Sequence, residues 1–218
     1  MKMSKLLFIF FLLTFSNISK SQIRALTESG REVLLFENGT WKYSQDSVNN
    51  LSDKIDSIAT NSNSFSKTTA ETFLVKSNIF NVGVYLDPSK WTFSFHKDNE
   101  KNPEYHFTMK SADGYAMMIT ERTPIGLENM RQIALVNAQK ASIDAKETVA
   151  EYRMVNNKKV LCLKIQGTIS GIKFTYLGYY YSNENGTIQL VCYTTQKFFD
   201  GLQNELELFL DGLVEVSE

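Results

Sequence analysis

The alternation of hydrophobic and polar positions predicts a sheet in the second half of the chain. After a turn at 87–88, the side chains of Trp91, Phe93 and Phe95 alternate with polar ones, which is the period of a β-strand. The stretch EYHFTMKSADGYAMMITE then predicts two strands about a turn at 113–114. Strands in which apolar and polar side chains alternate, with turn residues between the strands, are typical of antiparallel sheet. Further strands are predicted at about 148–155, 158–166, 172–182 and 187–195.

Two segments have the 3.6-residue hydrophobic period of amphipathic helices. The first follows Pro124, and its apolar stripe consists of Leu127, Met130, Ile133, Ala134, Asn137 and Ala141. The second is predicted from about Phe198 to Leu213, with its stripe at Leu202, Leu206, Phe209, Leu210 and Leu213. Helices that cover a largely antiparallel sheet define the α+β class, and we expect these apolar stripes to pack on the sheet.

The first residues have the pattern of an export signal. Lys2 and Lys5 precede the apolar run 6–13. This pattern predicts a secretory signal peptide over residues 1–21 and a mature chain that begins at Gln22. No later segment approaches the roughly 20 apolar residues that span a bilayer. We therefore expect a periplasmic or extracellular bacterial protein without an integral membrane segment after cleavage.

The rest of the chain divides into three predicted parts. Residues 22–43 predict a small module of three short strands with turns at 29–30 and 38–39, where Asn-Gly suits a tight hairpin. Residues 44–71 are dense in Ser, Asn and Asp and predict a linker with partial order at most. Residues 72–218 predict the main α+β domain.

The charge balance narrows the range of partners. The chain has 23 basic and 24 acidic side chains and a formal net charge of −1. A near-neutral chain without a basic block does not favour nucleic acid or an anionic membrane surface as its main partner.

The two cysteines, Cys162 and Cys192, are predicted to be free thiols. If the strands around them form a meander, one strand lies between the two residues. Next-but-one strands are about 9.6 Å apart, whereas the Cα atoms of a disulfide stand less than about 7 Å apart. Both thiols lie in apolar strand sequence, which raises their pKa and makes them poor nucleophiles.

The sequence offers few candidates for catalysis or metal binding. It has no Gly-x-Ser-x-Gly elbow, no His-Glu-x-x-His and no phosphate-binding glycine loop. The two histidines, His96 and His106, flank a loop near Glu104, so a metal site can be drawn, but the spacing lacks the regularity of known sites. We expect no metal, no cofactor and no enzymatic activity.

A cluster of tyrosines is the main candidate for a binding surface. Successive strand residues face opposite ways, so one pair of the cluster at 176–181 should share one sheet face and the other pair the opposite face. We favour packing as the role of these rings and keep a patch for a glycan or protein partner as the alternative. The candidate patch consists of Tyr176, Tyr179, Tyr180, Tyr181 and Tyr193.

The main domain resembles the PsbP-like family, which includes photosystem II extrinsic proteins and many exported bacterial proteins. The resemblance covers about residues 72–216. It depends on VYLDPSKWTFSF, LENMRQIALVNAQ, VNNKKVLCLKIQGTISGIKFTYLGYYYSNENGTIQLVCYT and FFDGLQNELELFLDGL. It implies an α-β-α sandwich that acts as a binding or assembly module, usually without enzymatic activity. No functional residue of the family maps onto this sequence.

The segment at 23–43 is similar to a short module that precedes exported bacterial proteins and ends in Gly-Thr-Trp. Together these features predict a non-catalytic binding or assembly module of the bacterial cell envelope, with an envelope protein as the expected partner. A carrier of a small apolar ligand is the alternative, and an unrecognised hydrolase is the third hypothesis.

Overall fold

The computed structural model describes residues 23–27, 32–36, 40–44, 58–95 and 103–216. The described residues belong to two compact units, one formed by the N-terminal segments and one that contains residues 58–216. The predicted signal peptide, the turns of the small module and His96 lie outside the described residues.

The first unit is a three-stranded antiparallel sheet in the order β1-β2-β3. Its strands are β1 (Ile23–Leu26), β2 (Glu32–Leu35) and β3 (Trp41–Tyr43). The ring of Trp41 stands edge-on to that of Tyr43 at 5.3 Å. The predicted three-strand module is therefore confirmed in its strand number and pairing.

The second unit contains two sheets and two helices. The larger sheet has eight strands in the order β4-β10-β11-β12-β13-β9-β8-β7, and the smaller one has the order β14-β6-β5. The strands are β4 (Ala59–Phe65), β5 (Phe73–Lys76), β6 (Val82–Leu86), β7 (Trp91–Phe95), β8 (Tyr105–Met109), β9 (Tyr115–Glu121), β10 (Lys146–Val155), β11 (Lys158–Ile169), β12 (Ile172–Asn183), β13 (Gly186–Thr195) and β14 (Leu213–Glu215). The helices are α1 (Leu127–Ala141) and α2 (Gln196–Asp211).

The predicted meander is present as β10 to β13, with every neighbouring pair antiparallel. The turn between β10 and β11 consists of Asn156 and Asn157, whose φ angles are 46° and 64°. Both angles are positive, as a two-residue type I′ hairpin requires, and asparagine tolerates this conformation better than most residues. Local turn chemistry thus sets the register between β10 and β11.

Part of the predicted linker 44–71 forms a strand instead. β4 pairs in parallel with β10, so that Ala59 lies opposite Glu151 and Phe65 opposite Val155. Its sequence ATNSNSF lacks an apolar face, and the backbone ladder holds it in place with help from side chains. The amide of Asn61 donates to the Glu151 carboxylate at 3.2 Å. The sheet is therefore mixed, with one parallel pair beside the antiparallel strands.

The two helices lie on opposite faces of the large sheet, as predicted. Helix α1 packs mainly on β10, β11 and β12, whereas α2 packs on β12 and β13. The small sheet packs on the α2 side, where the Trp91 and Phe209 rings are 4.4 Å apart in the larger core. Helix α2 begins at Gln196 and ends at Asp211, and the predicted last residue Leu213 belongs to β14.

Candidate binding site

The predicted tyrosine patch is divided between the two faces of β12. Tyr179 and Tyr181 belong to the core under α2, and Tyr176 and Tyr180 pack on the α1 side. The alternation predicted from the sequence is thus correct. As a single surface, however, the patch is wrong, because Tyr179, Tyr180 and Tyr181 are buried.

The Tyr179 side chain belongs to a buried polar network on the α2 face. Its hydroxyl accepts a hydrogen bond from Arg153 Nη1 and donates one to Asp211 Oδ1, both at 2.9 Å. Arg153 also donates to Glu151 at 2.5 Å. Burial raises the pKa of Asp211 to about 6. The network connects β10, β12 and the last turn of α2, which indicates a structural role.

Three other tyrosines form a continuous, partly exposed row on the α1 face. Tyr176 on β12 lies opposite Tyr193 on β13, which lies opposite Tyr115 on β9. The Tyr176 and Tyr193 rings are 5.8 Å apart, and the Tyr193 and Tyr115 rings stack at 5.5 Å. Tyr115 is 36% exposed. We call Tyr115, Tyr193 and Tyr176 the tyrosine ladder.

An open groove lies beside the tyrosine ladder, between α1 and the sheet, and has a volume of about 320 Å³. We call it the α1 groove. Its lining combines side chains of α1 with those of β9, β11, β12 and β13. The lining residues are Met117, Ile119, Glu121, Ala134, Asn137, Ala138, Ala141, Ile165, Tyr176, Tyr180, Gln189 and Val191.

The sequence of α1 explains the groove. Met130 fills the space between the first half of the helix and the sheet and is fully buried. Further along, small side chains at 134, 138 and 141 face the sheet and leave a gap. Asn137 and Ala141 were expected to pack on the core, but both are exposed and line the groove. The predicted apolar stripe of α1 does face the sheet, but its buried part ends before Asn137.

The floor of the α1 groove contains a cross-strand pair of polar residues. Tyr180 on β12 lies directly opposite Gln189 on β13. The Tyr180 ring lies back over Gly178, where a β-carbon would stand 3.0 Å from the ring carbon Cε2. Burial raises the pKa of Tyr180 far above its usual value, so its hydroxyl is neutral at physiological pH.

The groove contains little charge. Glu121 is the one Asp, Glu, Lys, Arg or His residue among its lining residues. On α1, the Arg131 guanidinium forms two hydrogen bonds with Glu147 at 2.7 and 2.8 Å. Lys140, in the last helical turn, donates to the Asn137 side chain at 3.1 Å. The site therefore suits an apolar ligand with a few neutral polar groups.

The possible metal site gains no support from the geometry of Glu104. This buried carboxylate accepts hydrogen bonds from the Asn78 backbone N–H at 2.6 Å, from the Ser77 hydroxyl at 2.8 Å and from the Thr120 hydroxyl. Its oxygens thus hold the segment before β6 against the sheet. Among the described residues, no group of three His, Cys, Asp or Glu side chains is placed to hold a metal ion.

Both cysteines are free and buried, as predicted. Cys162 is on β11 and Cys192 is on β13, with β12 between them. Burial raises the pKa of Cys162 to about 12 and that of Cys192 well above its usual value. Such thiols are protonated at neutral pH and are weak nucleophiles.

No helix in the described part of the chain is long and apolar enough to cross a membrane. A scan of family models and a search of curated proteins find no match to the sequence. Among solved structures, the chain is similar to cyanobacterial PsbP (CyanoP) from Synechocystis sp. PCC 6803. The TM-score is 0.54 at 12% identity, over 68% of this chain and 94% of that one.

Two more distant structures are also similar in part. A protein from Bacteroides thetaiotaomicron has a TM-score of 0.47 at 12% identity, over 68% of this chain and 50% of that one. LpqN, described as involved in cell envelope biogenesis of Mycobacterium tuberculosis, has a TM-score of 0.43 at 10% identity, over 66% of this chain and 90% of that one. The likeness to CyanoP confirms the PsbP-like α-β-α sandwich fold of the second unit. At this identity it concerns the fold alone.

Two residues that complete the candidate site could not be identified from the sequence alone. Tyr115 completes the tyrosine ladder, but it is about 78 positions away from Tyr193 along the chain, and only the strand register brings the two together. Nothing in the sequence distinguishes Gln189 from the other residues of its strand. Its position opposite Tyr180 is set by the two-residue turn at 184–185, which pairs Asn183 with Gly186, whereas a turn centred on 185–186 would place Val191 opposite Tyr180.

Proposed function

We propose that this chain is an exported, non-catalytic binding module of the bacterial cell envelope, and that its protein partner contacts the tyrosine ladder. The single observation that carries the proposal is the in-register row of Tyr115, Tyr193 and Tyr176 on a part of the sheet that α1 leaves open. Tyrosine combines a large apolar ring with a polar end and is enriched at protein interfaces. Three adjacent, partly exposed rings offer a surface of this kind.

The non-catalytic part of the proposal is supported by the state of the reactive side chains. Cys162 and Cys192 are buried, protonated thiols, and Glu104 is held by several hydrogen bonds. An activated nucleophile requires an adjacent base or a lowered pKa, whereas burial here acts in the opposite direction.

The proposed export is supported by the signal-peptide pattern of residues 2–13 and can be tested separately from the binding surface. The protein isolated from the envelope fraction should begin at Gln22 in N-terminal sequencing. Recovery of the intact N-terminus from the cytoplasmic fraction would refute export and leave the binding surface to be judged separately.

The partner is best sought with photo-crosslinking in the bacterium that carries the gene. A photo-reactive phenylalanine analogue is placed at Tyr115 or Tyr193, and at Phe198 as a control. Phe198 is 40% exposed on α2, on the other face of the sheet. A partner of the tyrosine ladder should give a discrete adduct at positions 115 and 193 and none at 198.

The same adduct should disappear when the neighbouring ladder residue is changed to Ser, since the stacked surface is then lost. The variants must keep the wild-type circular dichroism spectrum. Equal crosslinking at position 198, or no adduct from the ladder in an envelope where the protein is abundant, would refute the proposal.

The alternative of a small apolar-ligand carrier is favoured by a different observation, the α1 groove. It is an open groove rather than an enclosed cavity. Its ligand chemistry can be argued independently of the protein partner.

A further inference from the structure

The floor of the α1 groove holds two polar groups without a hydrogen-bond partner among the residues that the structure describes. Tyr180 and Gln189 are 5% and 9% exposed. Within the described parts of the chain, neither the phenolic hydroxyl nor the Gln189 side-chain amide forms a hydrogen bond. Since no fully buried side-chain polar atom there lacks a partner, these two polar ends must open into the groove. Polar groups so deeply placed are normally satisfied by water or a ligand.

We infer that the α1 groove binds a neutral, mainly apolar small molecule that presents one amide group to Tyr180 and Gln189. This site is separate from the protein-binding surface proposed for the tyrosine ladder, although the two adjoin at Tyr176. The inference depends on the volume of the groove, its lining, its charge and the geometry of the polar pair.

The volume and lining fit a small ligand. About 320 Å³ lies at the lower end of the range of roughly 300–1,000 Å³ for small-molecule sites. The walls are largely apolar and include Met117, Ile119 and Val191 from the sheet and Ala138 from α1. Water in such a groove has few polar partners, so an apolar ligand gains by displacing it. Only the polar pair requires a specific counterpart.

The charge of the site excludes anions from the favoured ligands. Glu121 is at the groove, and the last turn of α1 is beside it. The helix C-terminus and the carboxylate both repel negative charge. Of the cations on α1, Arg131 pairs with Glu147, and Lys140, which donates to the neutral Asn137 side chain, is exposed and is not among the lining residues. A fatty acid or phosphate should therefore bind less well than a neutral compound of the same size.

The polar pair favours an amide over other neutral groups. Tyr180 and Gln189 are directly opposite each other on β12 and β13, and the Tyr180 hydroxyl lies over Gly178, one diagonal position further along the floor. A ligand group that contacts both side chains therefore lies between these two positions. The Gln189 side chain offers a carbonyl acceptor and an amide donor, and the Tyr180 hydroxyl can donate or accept. A ligand amide has the complementary donor and acceptor within one planar group. An ether or ketone would satisfy only the donors.

The test is a titration of the purified protein, as the cell produces it, with octanamide and with octanoate. Binding is followed by ¹H–¹⁵N chemical shifts. Octanamide should bind saturably and shift the backbone amides of Tyr180, Gln189 and Ala138, whereas octanoate should bind at least about tenfold more weakly because its charge would be desolvated without a cationic partner.

Two conservative variants test the polar pair. Tyr180→Phe and Gln189→Leu each remove one hydrogen-bonding group and keep the volume, so each should weaken octanamide binding about 2- to 10-fold. Both should retain the wild-type melting temperature, since neither group forms a hydrogen bond to the described residues. Tyr193→Phe, which changes a ladder residue outside the groove lining, should leave octanamide affinity unchanged.

The inference is overturned if octanamide fails to saturate, if octanoate binds as tightly, or if both variants bind octanamide as the wild type does. A marked fall in the melting temperature of both variants would also overturn it, because it would show that the pair has a structural role. If no adduct formed at positions 115 and 193 while octanamide still bound saturably, the protein-binding proposal would be refuted and this site would remain in place.

Discussion

Replacing Tyr179 by Phe removes a single oxygen atom from the centre of the buried network on the α2 face. That oxygen accepts from Arg153 and donates to Asp211, each at 2.9 Å, and the residue is fully buried. Hydrogen bonds to charged groups contribute about 1.5–3 kcal/mol each. Arg153 keeps Glu151 as a partner, so the loss on that side lies near the lower limit. We expect the free energy of unfolding to fall by about 2–4 kcal/mol.

The neighbouring tyrosine supplies the matched control. Tyr180→Phe removes the same atom from the same strand, but on the face where the hydroxyl forms no hydrogen bond to the described residues. Its free energy of unfolding should change by less than about 0.5 kcal/mol. Urea titrations at pH 7.5, followed by tryptophan fluorescence and circular dichroism, measure both values. If the two variants lost equal stability, or if Tyr179→Phe lost less than about 1 kcal/mol, the network would not be stabilising.

Three further predictions concern the core, the thiols and the pH dependence. Trp91→Ala should lower the free energy of unfolding by about 3–5 kcal/mol in urea titration, because the ring is 4% exposed and packs on Phe209; an unchanged urea midpoint would contradict this. A reductant should leave the melting temperature of the wild type unchanged, since Cys162 and Cys192 are free, and a reductant-dependent shift would show an unexpected disulfide. The pKa of Asp211 is raised from 3.8 to about 6 by burial, so the folded chain binds this proton more tightly than the unfolded chain does. Stability from this group is therefore present below about pH 4 and is lost as pH rises towards 6, and Asp211→Asn should flatten that fall in calorimetry; an identical pH profile would refute the assignment.

The elements that the sequence predicted well depend on local periodicity. The strands β10 to β13 and the helices α1 and α2 have apolar positions at the period of their own structure, and turn residues separate the strands. Alternation also placed Tyr179 and Tyr181 on one face and Tyr176 and Tyr180 on the other. Side chains in a strand alternate whatever the tertiary context, so such predictions need no knowledge of partners.

The features that the sequence did not reveal depend on long-range packing. The polar strand β4 has no hydrophobic alternation, and its place beside β10 is visible only in three dimensions. The exposure of Asn137 and Ala141 depends on where α1 lies over the sheet. The tyrosine ladder needs the register between β9 and β13, which no local pattern specifies.

The parallel pairing of β4 with β10 also changes where an independently folding fragment can begin. A fragment cut at residue 72 would lose Ala59 to Phe65 and would leave the backbone of β10 with free N–H and C=O groups along that side. An unpaired strand edge can form hydrogen bonds with other chains and so promote aggregation. In the complete unit β4 covers this edge of β10, and its Asn and Ser side chains are readily solvated. An expression fragment of this fold should therefore start before residue 58.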